Sequence, residues 1–128
     1  MTHYQKRAAA LRGCLDTHYN CAQAVLIPFA EEMGLTTEQA AAVAAHFGSG
    51  MRMGAPCGAV TGALMALGIL GKKDPAARAL LHEFRQSEGA LDCAHLLAIG
   101  REKEIEKSDH CMAMILHAVE LVEKYRQD

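Results

Sequence analysis

The chain has 128 residues, a length that suits one domain, and a chain of this size buries roughly two thirds of its unfolded surface on folding. Its residues are 51% hydrophobic but only 5% aromatic, a balance that favours helices over strands. The formal net charge is −2 and no segment concentrates basic residues, so we expect no nucleic-acid partner. We predict an all-α protein, one domain over residues 1–128, built as a bundle of six or seven helices.

Two helices are predicted before residue 35. In residues 3–17, apolar side chains recur at the i, i+3, i+4 spacing of an amphipathic helix: Ala8, Ala9, Leu11 and Leu15. Asn20 is a good N-cap for a second helix that ends at Gly34, with Pro28 as an internal kink.

A third and a fourth helix flank a glycine-rich loop. A capping box at Thr36 or Thr37 predicts a helix to about residue 47, and the loop at residues 48–55 ends it. The fourth helix is expected to start near Pro56, because proline suits the first helical turn, and to run to residue 70.

Three further helices are expected, and each begins at polar residues that can cap it. They span residues 74–88 from Asp74, residues 92–100 from Asp92, and residues 108–125 from Ser108-Asp109. The first residues, MTHYQKRAAALRGC, are too charged for a secretory signal. The longest uncharged run, residues 53–71, is broken by glycines and a proline and is shorter than the roughly 20 residues of a membrane span. We expect a cytoplasmic protein without a membrane span.

The five cysteines are the chemically informative residues. Stable disulfides are rare in the cytoplasm, so metal binding or redox chemistry explains them better. Four of them follow predicted helix starts, and only Cys14 does not: Cys21 follows Asn20, Cys57 follows Pro56, Cys93 follows Asp92, and Cys111 lies three residues after Ser108. Free backbone amides in a first helical turn lower the pKa of a thiol, which makes it a better nucleophile or ligand.

The surroundings of Cys57 suggest a binding site. Gly50, Gly54, Gly58 and Gly62 let the backbone approach a bound group closely, and we predict that they contact a cofactor. Gly58 and Gly62 also form a small-residue face on which another helix can pack. Nearby histidines allow a mixed Cys/His metal site: His18, His95 and His110.

Several segments together resemble a known family: NCAQAVL at Cys21, FGSGM followed by CGAVTGALMALG, then DC and HC. They are similar to the C_GCAxxG_C_C family, which is described as redox-active and is characterised by four cysteines and a CGAxxG motif. The resemblance carries over to seven positions: Cys21, Cys57, Cys93, Cys111, Gly58, Ala59 and Gly62. It implies a redox or metal role without a known substrate. A similar domain in iron–sulfur multihaem cytochromes implies a cluster, although this chain lacks their haem motifs.

Three functions stay open from the sequence. In the first, the four thiolates of Cys21, Cys57, Cys93 and Cys111 ligate an iron–sulfur cluster or zinc for electron transfer or sensing. In the second, Cys57 is the reactive thiolate of a metal-free redox protein, as enzyme or sensor, and Cys21 or Cys93 resolves it as a disulfide with an unidentified redox partner.

In the third, the cysteines are packing residues of a non-catalytic helical module, because free cysteine is among the most buried residue types. The face of Gly58 and Gly62 would then be the interface of a homodimer.

Overall fold

The computed structural model describes residues 1–127. These residues form seven α-helices and one π-helical turn: α1 (His3–Arg12), α2 (Cys21–Glu32), α3 (Thr37–Val43), the π turn (Gly50–Gly54), α4 (Gly58–Ile69), α5 (Asp74–Glu88), α6 (Cys93–Glu102) and α7 (Lys107–Tyr125). Over the described range there is no strand, which confirms the prediction of an all-α helical bundle.

Helix α2 is the central element of the bundle. Every residue from Ala24 to Ala30 is buried, and the helix continues through Pro28. It packs against α1, α3, α4 and α7, most extensively against α4. Because neighbours surround it, this helix is apolar on nearly all sides rather than along one stripe.

The contact between α2 and α4 depends on two glycines. A Cβ at Gly62 would lie 2.5 Å from the carbonyl oxygen of Ala22, and a Cβ at Gly58 would lie 3.1 Å from the Cβ of Cys21. The predicted small-residue face therefore exists, but α2 of the same chain covers it. Gly58 and Gly62 are therefore not available as a homodimer interface, whereas the expectation of a homodimer itself stays a prediction.

Two predicted helix boundaries were wrong by several residues. Helix α1 ends at Arg12 instead of residue 17, because Gly13 takes the C-cap position, and Leu15 is 100% exposed instead of buried. Helix α3 ends at Val43, and residues 44–46 form a turn before the glycine loop.

The start of α4 also differs from the prediction. Pro56 does not begin the helix, since it pairs with Asp92 in an isolated antiparallel bridge, and Cys57 takes the N-cap position. The predicted starts of the other helices lie within one or two residues of the observed ones. No helix in residues 1–127 combines the length and the apolar character that crossing a bilayer requires.

Candidate functional site: the cysteine cavity

Four of the five cysteines line one cavity of about 320 Å³, here called the cysteine cavity: Cys21, Cys57, Cys93 and Cys111. They come from the starts of α2, α4 and α6 and from the second turn of α7. Cys14 is exposed in the segment between α1 and α2 and does not line this cavity. The structure thus brings together the four cysteines that the sequence singled out.

Cys57 and Cys93 are positioned by hydrogen bonds between two chain segments. The amide of Cys57 donates to the carbonyl of Leu91 at 2.8 Å, and the amide of Cys93 donates to the carbonyl of Ala55 at 2.8 Å. These bonds flank the bridge between Pro56 and Asp92. The two cysteines therefore begin their helices side by side, although 36 positions separate them in sequence.

The glycine loop packs directly against Cys93. Gly50 has a φ of +62°, and a Cβ there would lie 2.5 Å from the carbonyl oxygen of Ala55 and 2.8 Å from the Cβ of Cys93. Only glycine meets both the conformational and the steric requirement. Three residues beside it also have positive φ at the expense of backbone strain: Ser49, Met51 and Arg52.

Asn20 holds the start of α2, and with it Cys21, against the end of α3. Its side-chain oxygen accepts from the amide of Gln23 at 2.8 Å, in a capping box. Its side-chain amide donates to the carbonyls of Ala44 and Ala45, both at 3.1 Å. One side chain thus caps α2 and satisfies carbonyl groups at the end of α3.

Cys21 and Cys111 form a hydrogen-bonded thiol pair. The bond from Cys21, together with the guanidinium of Arg12, lowers the pKa of Cys111 to about 6. The same bond is the largest cause of a strongly raised pKa at Cys21, followed by burial. The interaction therefore favours the thiolate form on Cys111 and the thiol form on Cys21.

The other two cavity thiols are not activated by their helices. Cys57 is only 6% exposed, and burial raises its pKa to about 11 although the amides of Ala59 and Val60 act in the opposite direction. Burial also raises the pKa of Cys93. The expectation that first-turn positions lower the pKa of Cys21, Cys57 and Cys93 was wrong. The interaction with Cys111 outweighs the helix end at Cys21, and desolvation outweighs it at Cys57 and Cys93.

The predicted glycines and histidines divide into two groups. Gly54, Gly58, His18 and His110 line the cysteine cavity. Gly50, Gly62 and His95 do not line it, and the two glycines instead allow close packing. His110 is buried, and burial lowers its pKa.

Sequence reasoning missed the two basic side chains of the cavity, Arg12 and Lys107. Arg12 donates from Nη1 to the carbonyl of Tyr19 at 2.7 Å and lies beside Cys21 and Cys111. Neither residue carries a local sequence signal. Arg12 was expected inside a longer helix, and Lys107 ends the charged segment REKEIEK.

A metal centre needs several donor side chains around one point. Cysteine thiolates are ligands of zinc and of iron–sulfur clusters. In the described part of the chain, however, no three side chains of His, Cys, Asp or Glu form a group that could hold a metal ion. The side chains as placed therefore do not form a preformed site for a single ion, and binding of zinc or of a cluster stays a prediction.

Comparison with protein families matches residues 19–125 to the C_GCAxxG_C_C family, described as "Putative redox-active protein (C_GCAxxG_C_C)". The search of curated proteins found no match, and neither did the search of solved structures. The family match spans the four cavity cysteines and most of the chain. The chain therefore belongs to the C_GCAxxG_C_C family of redox-active proteins.

Proposed function

We propose that the protein is a dithiol–disulfide redox protein in which Cys111 is the attacking thiolate and Cys21 is the resolving thiol. The observation that carries this proposal is that the Cys21 and Cys111 side chains line one cavity and lie close enough to shift each other's pKa in opposite directions. Disulfide formation needs two cysteines close in space, and these two are the cavity cysteines that interact most strongly with each other. Cys57 was the reactive thiolate of the sequence hypothesis, and its burial favours Cys111 in that role.

The order of the two steps follows from the charges. The nucleophile in thiol–disulfide exchange is the thiolate, so Cys111 attacks first. Once Cys111 is part of a mixed disulfide, its negative charge is gone, and with it the main cause of the raised pKa of Cys21. Cys21 can then lose its proton and attack the Cys111 sulfur, while Arg12 favours its thiolate form.

Disulfide mapping tests the assignment. Tryptic cleavage places Cys14 and Cys21 on one peptide, whereas Cys57, Cys93 and Cys111 lie on three others. In a C14S background each cavity cysteine therefore has its own peptide. After mild anaerobic oxidation with hydroxyethyl disulfide, we expect mass spectrometry to find the Cys21–Cys111 linkage and to find that reductant removes it.

Two variants complete the test. C21S and C111S, each in the C14S background, should both lose the linkage. C111S should be modified more slowly than C21S because burial still raises the pKa of Cys21, whereas C21S should accumulate a mixed disulfide at Cys111 because nothing resolves it. A disulfide that contains Cys57 or Cys93 instead, or no disulfide at all, would contradict the assignment.

An iron–sulfur cluster is the second candidate, because all four family cysteines line one cavity. Cys₄ is the usual ligand set of such clusters. The measurement is iron and acid-labile sulfide content, with a visible spectrum, on protein purified without oxygen. Iron and sulfide in stoichiometric amounts, lost in C57S as well as in C21S, would support the cluster and overturn the dithiol proposal. Colourless, iron-free protein would overturn the cluster.

A further inference from the structure

Apart from the Cys111 thiolate, the charged side chains that line the cysteine cavity are positive. Arg12 and Lys107 line it, and no aspartate or glutamate of residues 1–127 does. This differs from the chain as a whole, which has 15 acidic and 13 basic residues. The starts of α2, α4 and α6 at the cavity add the positive ends of three helix dipoles.

Neither basic side chain is neutralised by a carboxylate. Elsewhere in the described chain Arg7 pairs with Glu31 at 2.9 Å and Arg126 with Glu32 at 2.6 Å, but no such ion pair involves Arg12 or Lys107. Arg12 lies beside Cys21 and Cys111, and Lys107 favours the thiolates of Cys93 and Cys111 from its position at the start of α7.

The net charge of the cavity lining stays positive when Cys111 is a thiolate. One thiolate, on Cys111, faces two cations, Arg12 and Lys107. The surplus positive charge is free to attract an anionic group on an incoming molecule. A cavity of about 320 Å³ lies at the lower end of the size range of small-molecule sites, so the molecule it admits is small.

We infer that the substrate of the Cys21–Cys111 pair is a small disulfide that carries carboxylate groups, held by Arg12 and Lys107. The inference rests on the proposed dithiol function and adds the substrate class to it. A guanidinium binds a carboxylate through two parallel hydrogen bonds, and an ammonium binds it as a point charge.

The exchange balances with this disulfide as the only oxidant. The Cys111 thiolate attacks one substrate sulfur, the Cys111–sulfur bond forms, the substrate S–S bond breaks, and the first thiolate leaves. Cys21 then attacks the Cys111 sulfur, the Cys21–Cys111 bond forms, and the second thiolate leaves. The two leaving thiolates take up the protons that Cys111 and Cys21 have lost. Two cysteine thiols lose two electrons, and the substrate disulfide is reduced to two thiols.

The test compares three small disulfides of similar size and different charge: dithiodiglycolate, a dianion; hydroxyethyl disulfide, which is neutral; and cystamine, a dication. Each rate of Cys21–Cys111 oxidation in the C14S protein is divided by the rate of the same disulfide with free mercaptoethanol, which removes differences between leaving groups. At low salt we expect a normalised preference for the dianion over the dication of at least about tenfold, which high salt suppresses.

Charge-removing variants separate binding from thiol activation. R12Q slows all three disulfides because Cys111 loses a stabilising cation, so the readout is the ratio of rates and not the rate. In R12Q/K107Q we expect the normalised ratio to fall to within about twofold of unity. The matched control is K73Q, which removes an exposed charge beside a different cavity and should leave the ratio unchanged.

The outcomes separate the two proposals. Equal normalised rates for the three disulfides, with the Cys21–Cys111 bond still formed, would overturn the substrate class and leave the dithiol function standing. Failure of all three to form that bond would overturn the dithiol function itself. A preference that survives in R12Q/K107Q would show that these two residues are not its source.

Discussion

Similar positions in the fold do not give the cavity thiols similar chemistry. Cys21 and Cys93 are the first residues of their helices and Cys57 is an N-cap, yet the pKa of each is raised. Only Cys111, one turn further into its helix, has a lowered pKa. A hydrogen-bond donor and a nearby cation outweigh a helix end, because they act at shorter range.

Removing the donor should therefore raise the pKa of Cys111. In C14S protein we expect ultraviolet thiolate absorbance, and the rate with hydroxyethyl disulfide, to rise as pH increases through about 6. Above that pH the Cys111 thiol is already ionised, so the rise should level off. In C14S/C21S the same rise should move to higher pH, because the thiolate has lost its hydrogen bond.

The R12Q variant supplies the comparison for this titration. It should shift the rise in the same direction, since Arg12 also lowers the pKa of Cys111. An unchanged midpoint in C14S/C21S would show that Cys21 is not the group that stabilises the thiolate.

At the scale of elements, α2 and α4 approach closely because glycine replaces a larger residue where they meet. Gly62 lies against the backbone of Ala22, one residue beyond Cys21. The contact that brings the two helices together is therefore continuous with the cavity, and the glycines of the CGAxxG motif act through packing at Gly62 and through cavity lining at Gly58.

Adding one methyl group to this contact should destabilise the protein. We expect Gly62→Ala to lower the free energy of unfolding by about 1–3 kcal/mol, because the new Cβ meets a backbone oxygen that cannot move aside. Gly68→Ala lies in the same helix and has nothing within 4 Å of the new Cβ. This substitution should raise the free energy of unfolding by about 0.5–1 kcal/mol. Urea unfolding measures both, and equal effects at the two sites would contradict the packing argument.

The glycine loop stores strain that a paired substitution can reveal. Arg52 is exposed with a φ of +65°, which costs a residue with a side chain more than glycine. We expect Arg52→Gly to unfold at higher urea than Arg52→Ala, by about 1 kcal/mol in free energy. The same pair at exposed Arg78 within α5 should show the reverse order, because alanine is the better helix former there. If the alanine variant is more stable than the glycine variant at both sites, the loop is not strained.

At the scale of the whole molecule, one contiguous core joins helices from both halves of the chain, and the cysteine cavity lies where distant segments meet. Cys21 and Cys111 are 90 positions apart in sequence. A bond between them would close most of the chain into one loop and restrict the unfolded state strongly.

Oxidation should therefore stabilise the fold. We expect the Cys21–Cys111 disulfide to raise the free energy of unfolding by about 2–4 kcal/mol, measured by urea unfolding of oxidised and reduced C14S protein. C14S/C21S, treated with the same oxidant, should show no such gain. A loss of stability on oxidation of C14S would mean that the disulfide strains the native backbone.

Much of the helical architecture was predictable from sequence because its causes are local. The Asn20 capping box, the proline in the first turn of α5 and Gly89 after its end all act over a few residues. The shift of α4 past Pro56 was not predictable, because a bridge to Asp92, far along the chain, withdraws the proline from the helix.

By itself the sequence determined an all-α fold and the four cysteines of interest, since helix starts and residue types are local properties. Only the tertiary structure decided which thiols share a cavity, in which direction the pKa of each one moves, and which cations face them. The physical reason is that burial, the hydrogen bond from Cys21 to Cys111 and the approach of Arg12 arise between segments distant in sequence. These interactions change the pKa values of the thiols more than the helix-end effect does, and the helix-end effect is the one that the sequence predicts.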